Sequence, residues 1–192
     1  MAKLYFKYGA MGSSKSANAL MCKFNYEQKG FKVLLMKPSL DTRDNDGQET
    51  FVASRIGLKS KCYTFTPNAN LIELFNKLTE GENYNVVIVD ESQFCTCKQV
   101  EELKTISYSF PVLCYGLKTN FKSYLFEGSK RLFEIADSIA EIKSVCKCGA
   151  KATMNAKLIN GKVVTDGKEI DIGGDEKYEA MCYHCWKKLS EE

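Results

Sequence analysis

The segment LYFKYGAMGSSKS, residues 4–16, is the stretch on which our interpretation of the fold depends. It begins with the apolar run Leu4 to Tyr8, which predicts a buried strand, and it continues into a turn that contains two glycines. A helical pattern follows directly, because Ala17, Leu20, Met21 and Phe24 are spaced to share one helix face before Gly30. A strand, a glycine-containing turn and a helix in this order indicate a phosphate-binding P-loop.

In a P-loop the backbone N–H groups and the helix N-terminus point at the phosphates of a bound nucleotide. The lysine reaches the β- and γ-phosphates, and the hydroxyl that follows it coordinates Mg²⁺. Lys15 and Ser16 occupy these two positions, so ATP and Mg²⁺ are the predicted cofactors. The alternative is a strand-to-helix turn in which the glycines have no ligand.

The motif departs from its consensus at one position, where Ser14 replaces the glycine that normally precedes the lysine. If the chain is left-handed there, a residue with a Cβ atom costs about 1 to 2 kcal/mol. We therefore expect weaker nucleotide binding without loss of the fold.

A second apolar run, Val86 to Val89, ends in the acidic pair Asp90 and Glu91. This is the Walker B arrangement, in which a carboxylate at a strand end serves Mg²⁺. Because side chains alternate along a strand, one carboxylate serves the cation and the other faces the phosphate acceptor. The alternative is a strand that ends at solvent with charged residues.

Two more apolar runs, Lys32 to Met36 and Pro111 to Tyr115, predict further strands, and helical patterns lie between the runs. The helical patterns cover Leu71 to Leu78 and Lys130 to Ile142. Strands that alternate with helices indicate an α/β fold with a mainly parallel sheet. At 192 residues and 44% hydrophobic content, we expect one main domain with a small appendage, divided into residues 1–144 and 145–192.

The appendage contains short β-like segments, and Asn160-Gly161 predicts a two-residue hairpin turn. It also contains two close cysteine pairs, Cys146/Cys148 and Cys182/Cys185. Four thiolates form a closed, structural zinc site, with His184 as an alternative to Cys185. The other cysteines are expected to behave as small apolar residues, although Cys95 and Cys97 form a possible third pair: Cys22, Cys62, Cys95, Cys97 and Cys114.

Composition argues against several classes of protein. The net charge of +3 is scattered, so neither nucleic acid nor a membrane is an expected partner. No leader or apolar stretch long enough to span a bilayer is evident, and nine cysteines without such a leader indicate a cytoplasmic protein with reduced thiols. The single histidine, His184, lies between cysteines, which argues against a Ser-His-Asp triad.

The chain resembles the type II thymidine kinases, which are the cytosolic-type family. The resemblance runs nearly end to end and rests on the zinc cysteines and on five further segments: Gly9 to Ser16, Asp41 to Arg43, Asp90 to Phe94, Tyr115 to Phe121 and Ile172 to Tyr178. It implies a P-loop NTPase core of the RecA-like kind and a small zinc-binding lobe that carries a lasso loop. It also implies transfer of a phosphoryl group from ATP to the 5′-hydroxyl of deoxythymidine.

By this resemblance Glu91 is the general base, Asp90 helps to hold Mg²⁺ through water, and Lys15 and Arg43 stabilise the charge of the transferring group. Arg43 lies in a loop expected to be mobile, and its alternative is an ordinary solvated arginine. The ATP and Mg²⁺ site comprises Gly9, Ala10, Met11, Gly12, Ser13, Ser14, Lys15, Ser16, Asp90, Glu91, Ser92 and Gln93.

The resemblance also implies a nucleoside site in which main-chain groups of the lasso read the edge of the base. Its residues are Met11, Phe94, Leu117, Phe121, Phe126, Glu169, Ile170, Asp171, Ile172, Gly173 and Tyr178. Phe126 and Leu117 could equally be ordinary core residues. A homotetramer and feedback inhibition by dTTP are further implications of the resemblance.

Two other functions fit parts of the sequence. A P-loop ATPase with a zinc ribbon could act on nucleic acid, but it would need a basic, aromatic-rich face. A catalytically weakened or silent relative could bind nucleotide without turnover because of Ser14. The retained Lys15, Ser16, Asp90 and Glu91 favour an active kinase.

Overall fold

A computed structural model of the protein describes residues 3–41, 49–167 and 178–191. Its centre is a six-stranded sheet in the order β5-β2-β6-β7-β1-β8, in which every neighbouring pair is parallel. Helices connect and cover these strands. The prediction of an α/β fold with a mainly parallel sheet is therefore confirmed.

The strands are β1 Leu4–Gly9, β2 Lys32–Pro38, β3 Phe51–Ala53, β4 Lys59–Lys61, β5 Tyr63–Phe65, β6 Tyr84–Val89, β7 Val112–Leu117, β8 Ser138–Glu141, β9 Ser144–Val145, β10 Lys151–Ala152, β11 Met154–Ile159, β12 Lys162–Val164 and β13 Tyr178–Met181. The helices are α1 Lys15–Glu27, α2 Leu71–Thr79, α3 Cys97–Ile106, α4 Glu127–Ile135 and α5 Tyr183–Glu191, and a 3₁₀ turn spans Ser92–Phe94.

The sheet is buried on both faces, which explains why its strands read as continuous apolar runs. On β6, Val87 and Val89 face a core that includes Leu71 and Phe75 of α2. The alternate residues of the strand face a second core that includes Leu20 of α1. The helical pattern predicted from Leu71 to Leu78 is confirmed, and Leu74 and Leu78 also pack against the first core.

The predicted face of α1 is wrong in part. Ala17 and Leu20 are buried as expected, but Met21 is 50% exposed and Phe24 is 59% exposed. Ala17 and Leu20 lie on one side of the apolar surface of this helix, and Met21 and Phe24 lie on the other side. Residue spacing alone does not show which of the two sides faces the sheet.

The predicted helix from Lys130 to Ile142 is also wrong in its second half. Helix α4 ends at Ile135, and Ser138–Glu141 forms a parallel edge strand beside β1. Asp137 secures the turn between them, since its carboxylate accepts a hydrogen bond from the Leu4 amide at 2.8 Å. The strand lacks an apolar signal because it lies at an edge, where Ile139 is 43% exposed.

The C-terminal region contains a two-stranded sheet, β10-β9, and a three-stranded sheet, β12-β11-β13. Asn160 and Gly161 join β11 to β12 with φ values of 52° and 78°, which confirms the predicted tight turn. Residues of the C-terminal region form a separate apolar cluster, to which Ala10 of the P-loop also belongs. The cluster comprises Ala10, Cys146, Ala152, Met154, Ala156, Val163, Met181, Cys182 and Trp186. The domain division at residue 145 stays a prediction.

No helix within the described parts of the chain is long and apolar enough to cross a membrane.

Candidate functional site

A cleft of about 460 Å³ lies at the carboxyl ends of the parallel strands β1, β2 and β6. Its walls come from the turn after β1, the end of β2, the hairpin β3-β4 and the acidic end of β6. The lining residues are Met11, Gly12, Ser14, Lys15, Ser16, Ala17, Lys37, Asp41, Val52, Ala53, Ser54, Arg55, Ile56, Asp90, Glu91 and Leu117. The structure thus brings the P-loop and the Walker B carboxylates into one cleft.

The turn between β1 and α1 has the backbone geometry of an anion-binding nest. Gly12 and Ser14 both have positive φ, at 70° and 62°, so the chain curls around the space in front of helix α1. The Lys15 ammonium donates to the Ala10 carbonyl at 2.9 Å, which folds the lysine back along the loop beside the cleft. A loop of this kind can bind a triphosphate through its backbone N–H groups and its one lysine.

Ser14 adopts the left-handed conformation on which the sequence argument depended, with φ 62° and ψ 30°. It is the N-cap of α1, but its side chain makes no capping hydrogen bond. The Asn18 side chain instead donates to the Ser14 carbonyl at 2.9 Å. The strained geometry is confirmed, and its effect on nucleotide binding stays a prediction.

Asp90 lies at the end of β6 and is only 3% exposed. The pKa of its carboxyl is raised to about 7, first by burial and then by the neighbouring Glu91 carboxylate, while a hydrogen bond from the Ser16 hydroxyl opposes the shift. An oxygen pair of this kind, one carboxylate and one hydroxyl, is the donor set that Mg²⁺ takes in P-loop proteins. The residues present therefore fit Mg²⁺.

Glu91 follows Asp90 in a left-handed conformation, with φ 52°, and faces the cleft. The Gln93 side chain holds it: its amide nitrogen donates to Glu91 Oε2, and its amide oxygen accepts from the Leu117 N–H at 3.0 Å. Gly116 makes room for this arrangement, since a Cβ there would lie 2.9 Å from Gln93 Oε1. The Glu91 carboxylate is thereby tied to the neighbouring strand.

Gln93 and Ser92 are buried and do not line the cleft. The Ser92 hydroxyl donates to the Tyr115 carbonyl at 2.9 Å. Their predicted direct contact with nucleotide stays a prediction.

The cleft also contains cationic side chains that sequence reasoning missed. Lys37 is 1% exposed and pairs with the buried Asp41 at 3.1 Å. Arg55 lies at the tip of the β3-β4 hairpin, with a guanidinium nitrogen 3.7 Å from the place where a Cβ on Gly12 would lie. A lysine inside an otherwise apolar strand was the available signal for Lys37, whereas Arg55 has no local signal.

The predicted nucleoside residues occupy two places. Met11 and Leu117 line the cleft. The aromatic residues form two edge-to-face pairs, Phe94 with Phe126 at 5.7 Å between ring centroids and Phe121 with Tyr178 at 6.4 Å. Phe121 and Phe126 are buried, which both core packing and a closed pocket would produce, so their role in binding stays a prediction.

Several predicted site residues lie outside the described residues. They are Arg43 of the expected mobile loop and Glu169, Ile170, Asp171, Ile172 and Gly173 of the expected lasso.

The four predicted zinc ligands come together. The sulfur atoms of Cys146, Cys148, Cys182 and Cys185 all lie within 4.8 Å of one another. The Cys148 and Cys182 sulfurs are 3.7 Å apart, and a tetrahedral site with zinc–sulfur bonds of about 2.3 Å requires about 3.8 Å. The cluster includes Cys185 and not His184, so the residues present fit zinc with four thiolates.

The environment of the cluster favours a thiolate at Cys146 but not at Cys185. Backbone N–H groups of Cys148 and Cys182 lower the pKa of the Cys146 thiol to about 7, whereas sharing protons with Cys182 and Cys148 raises the pKa of Cys185. The opposite directions reflect four thiols that compete for the same protons. A divalent cation removes this competition by binding all four as thiolates.

The remaining five cysteines are free thiols. Cys95 and Cys114 are buried and behave as small apolar residues, and Cys22 and Cys62 are partly buried. Cys97 is exposed at the first residue of α3, so the expectation of an apolar role is wrong for it.

Comparison with known proteins agrees with this geometry. The family model for thymidine kinase matches residues 2–186. A thymidine kinase from Zymomonas mobilis is 44% identical over 194 residues, covering 99% of both chains. One from Enterobacteria phage T4 is 42% identical over 100% of this chain and 99% of its own, and one from Rhodopirellula baltica is 42% identical over 95% and 86%. The resemblance found in the sequence is confirmed, and the chain belongs to the thymidine kinase family.

Proposed function

We propose that the protein transfers the γ-phosphoryl group of ATP to the 5′-hydroxyl of deoxythymidine and so produces dTMP for DNA precursor synthesis by salvage. The observation that carries this proposal is the juxtaposition in one cleft of Lys15, the Ser16–Asp90 hydrogen bond and Glu91. Membership of the thymidine kinase family supports deoxythymidine as the acceptor.

The P-loop provides the nucleotide site in this proposal. The backbone amides from Gly9 to Ser16 surround the phosphates, and Lys15 moves from the Ala10 carbonyl to the β- and γ-phosphates. Ser16 and Asp90 would hold Mg²⁺, Asp90 through water by resemblance, and the cation would neutralise charge on the phosphates. Arg43, which lies outside the described residues, is the second proposed cation on the transferring group.

Glu91 is the proposed general base. It takes the proton of the 5′-hydroxyl as that oxygen attacks the γ-phosphorus in line with the bond to the leaving ADP. Its carboxylate must be aimed at the acceptor, and the Gln93 amide, anchored on the Leu117 N–H, supplies that aim. Gln93 thus acts through Glu91 and is a positioning residue.

The nucleoside occupies the side of the cleft that Met11 and Leu117 line. The ring pairs Phe94–Phe126 and Phe121–Tyr178 provide apolar surface for the base and its methyl group. Main-chain groups of residues 169–173 are proposed, on the resemblance alone, to read thymine O2, N3–H and O4.

Zinc is proposed as a structural ion that supports residues 145–192 as a lobe distinct from the kinase core, residues 1–144. Four thiolates leave no open position for water or substrate, so the ion takes no part in phosphoryl transfer. A cytoplasmic location is proposed from the cytosolic-type resemblance and from the free thiols.

We also propose a homo-oligomer, a tetramer by resemblance. Met21, Phe24 and Phe31 lie on or just after α1 and are 50%, 59% and 47% exposed, so this segment offers apolar surface that a second copy could cover. Feedback inhibition by dTTP is proposed by resemblance, since dTTP combines the base and sugar of the product with a triphosphate. Analytical ultracentrifugation with and without dTTP measures the state of assembly.

The activity is tested by purifying the zinc-loaded protein and measuring ATP- and Mg²⁺-dependent phosphorylation of deoxythymidine, deoxyuridine, deoxycytidine and deoxyadenosine. We expect dTMP formation, and we expect Glu91→Gln to lower kcat by about 10² to 10⁴ with the fold intact. Gln99→Leu is the matched control, because Gln99 is a buried carboxamide of α3 that contacts the Thr66 carbonyl, not the cleft.

Phosphorylation of none of the four nucleosides by the wild type, and none by Ser14→Gly, would contradict the kinase proposal. A Glu91→Gln variant that retains full kcat would contradict the assignment of the base.

A further inference from the structure

Asn155 is a buried polar residue of β11, 3% exposed, whose side chain makes hydrogen bonds with residues outside the C-terminal region. Its amide oxygen accepts a hydrogen bond from the Met11 N–H at 2.7 Å. Its amide nitrogen donates to the Thr119 carbonyl at 2.7 Å. One side chain of the C-terminal region thus joins two loops of the kinase core that are far apart in sequence.

The two loops belong to the two halves of the proposed reaction. Met11 lies in the P-loop, beside the left-handed Gly12. Thr119 precedes Asn120 and Phe121, and the Asn120 side chain accepts from the Lys122 and Tyr124 amides at 3.0 and 3.1 Å. The Thr119 carbonyl therefore belongs to a loop with a defined shape, which leads directly into the proposed nucleoside pocket.

A carboxamide suits this position for a chemical reason. One partner is an N–H donor and the other is a carbonyl acceptor, so the bridging group must accept at one end and donate at the other. A carboxylate has no proton for the Thr119 carbonyl, and an apolar side chain serves neither partner. Because Asn155 is buried, water cannot easily replace the lost hydrogen bonds.

Asn155 is also connected to the cysteine cluster. In the register of β11 and β13, Asn155 lies opposite Ala180 and Met154 lies opposite Met181, directly before Cys182. Met154 and Cys182 share an apolar cluster with Ala10 of the P-loop. The position of the carboxamide therefore depends on the region that the four cysteines hold together.

We propose that Asn155 is a positioning residue that holds the P-loop and the Thr119 loop at a fixed separation and so makes phosphoryl transfer depend on an intact cysteine-bound lobe. This inference rests on the proposed function, because it assigns the two loops to the phosphate donor and to the acceptor. In-line transfer requires each reactant to be positioned with a precision finer than about 1 Å, which a loose loop does not achieve.

The test compares Asn155→Ala and Asn155→Asp with the control Met154→Ala. The control opens a cavity in the neighbouring apolar cluster and leaves the Asn155 side chain itself unchanged. For each zinc-loaded variant we would measure zinc content, Tm, kcat, both KM values and the affinity for a fluorescent ATP analogue.

For Asn155→Ala we expect unchanged zinc content, a kcat lower by about tenfold or more, and weaker nucleotide binding. Asn155→Asp keeps the acceptor for Met11 but loses the donor for Thr119, so its KM for deoxythymidine should rise more than its KM for ATP. Met154→Ala should lower Tm without changing kcat per folded enzyme.

Kinetic and binding constants of Asn155→Ala equal to those of Met154→Ala would overturn the proposal, as would equal changes in both KM values in a folded Asn155→Asp. The nucleotide titration needs no turnover. If the wild type phosphorylates no nucleoside, the proposed function fails, and unaltered nucleotide affinity of Asn155→Ala separately refutes the role of Asn155.

Discussion

The six-stranded core and the C-terminal region with its four clustered cysteines differ in how they are stabilised. The core buries a sheet on both faces, and the helices cover it with two large apolar clusters. Among its described residues, the C-terminal region has sheets of two and three strands and one small cluster, to which the P-loop contributes Ala10. Its described part adds a single helix, α5.

Several unfavourable features of the core lie together at the cleft. Ser14 and Glu91 have left-handed backbones, Asp90 is a buried acid with a raised pKa, and Lys37 and Asp41 form a buried ion pair. Each lies at the cleft. A large core tolerates such local strain, whereas a small region has little stability to spare and depends on its four thiolates. The strained and buried charged groups thus lie in the region with the larger core, and the cluster of four cysteines lies in the smaller one.

The largest effect should come from removing the metal or one of its ligands. Cys146→Ser, or a strong chelator, should unfold the C-terminal region while the parallel sheet persists, because a structural zinc site supplies most of the folding free energy of such a lobe. Hydrogen exchange should show lost protection in β11 and β13 but not in β6. Cys97→Ser, which changes an exposed thiol outside the cluster, is the control. Equal loss of protection in both regions would contradict the comparison.

Next in size is the positioning of Glu91 within the core. Gln93→Leu should lower kcat by about tenfold to a hundredfold with little change in either KM, because it removes the group that aims the carboxylate but touches no substrate. Gln99→Leu, which removes a buried carboxamide of α3 that contacts the Thr66 carbonyl, should cost stability and leave kcat per folded enzyme unchanged. A Gln93→Leu variant with raised KM for ATP and normal kcat would instead support direct nucleotide contact.

The buried carboxyl of Asp90 should make the stability of the protein depend on pH. The pKa of Asp90 is raised to about 7 in the folded protein, so the folded state binds more protons than the unfolded state between about pH 4 and 7. Stability of the nucleotide-free protein therefore falls as pH rises through this window. Asp90→Asn should remove that loss and raise stability at pH 8, on the order of 1 to 2 kcal/mol, while it weakens activity.

Thermal melts from pH 4 to 8 measure this effect, with the exposed Asp166→Asn as the control. If the Tm of Asp90→Asn changed with pH in the same way as the Tm of the wild type across the whole range, the raised pKa would be refuted.

The smallest effect should come from relieving strain at the P-loop. Ser14→Gly removes the Cβ from a left-handed position at which the serine side chain makes no capping bond. We expect a gain of about 1 kcal/mol in stability and modestly tighter ATP binding. Chemical denaturation and ATP titration measure both, and a destabilised Ser14→Gly protein would show that the serine is favourable there. Asn160→Gly, at a left-handed turn in the C-terminal region, is the matched control for glycine itself.

The parts of the fold that could be predicted were those with strong local signals. Buried parallel strands are continuously apolar, so β1, β2, β6 and β7 were evident, and Asn160-Gly161 specifies its turn by backbone conformation. The strand β8 could not be predicted, because an exposed edge strand needs no apolar run. The face of α1 was misread because two adjacent stripes of that helix are apolar.

The candidate site divides in the same way. Spacing predicted two groups of residues that the structure brings together, because each chemistry requires particular residue types at particular distances along the chain. They are Lys15, Ser16, Asp90 and Glu91 at the cleft, and the four cysteines of the cluster. Arg55 and Asn155 could not, because their partners lie on other elements. The Asn155 side chain meets Met11, 144 positions away in sequence.

By itself the sequence determined the α/β class and the family, and it predicted the P-loop, the acidic end of β6 and the four clustered cysteines, because all of these depend on local patterns. Only the tertiary structure decided that Ser14 is left-handed, that Gln93 holds Glu91, and that Asn155 joins the P-loop to the Thr119 loop. The physical reason is that backbone strain and hydrogen bonds between distant residues depend on how the elements pack, and packing is not encoded in any short stretch of the chain.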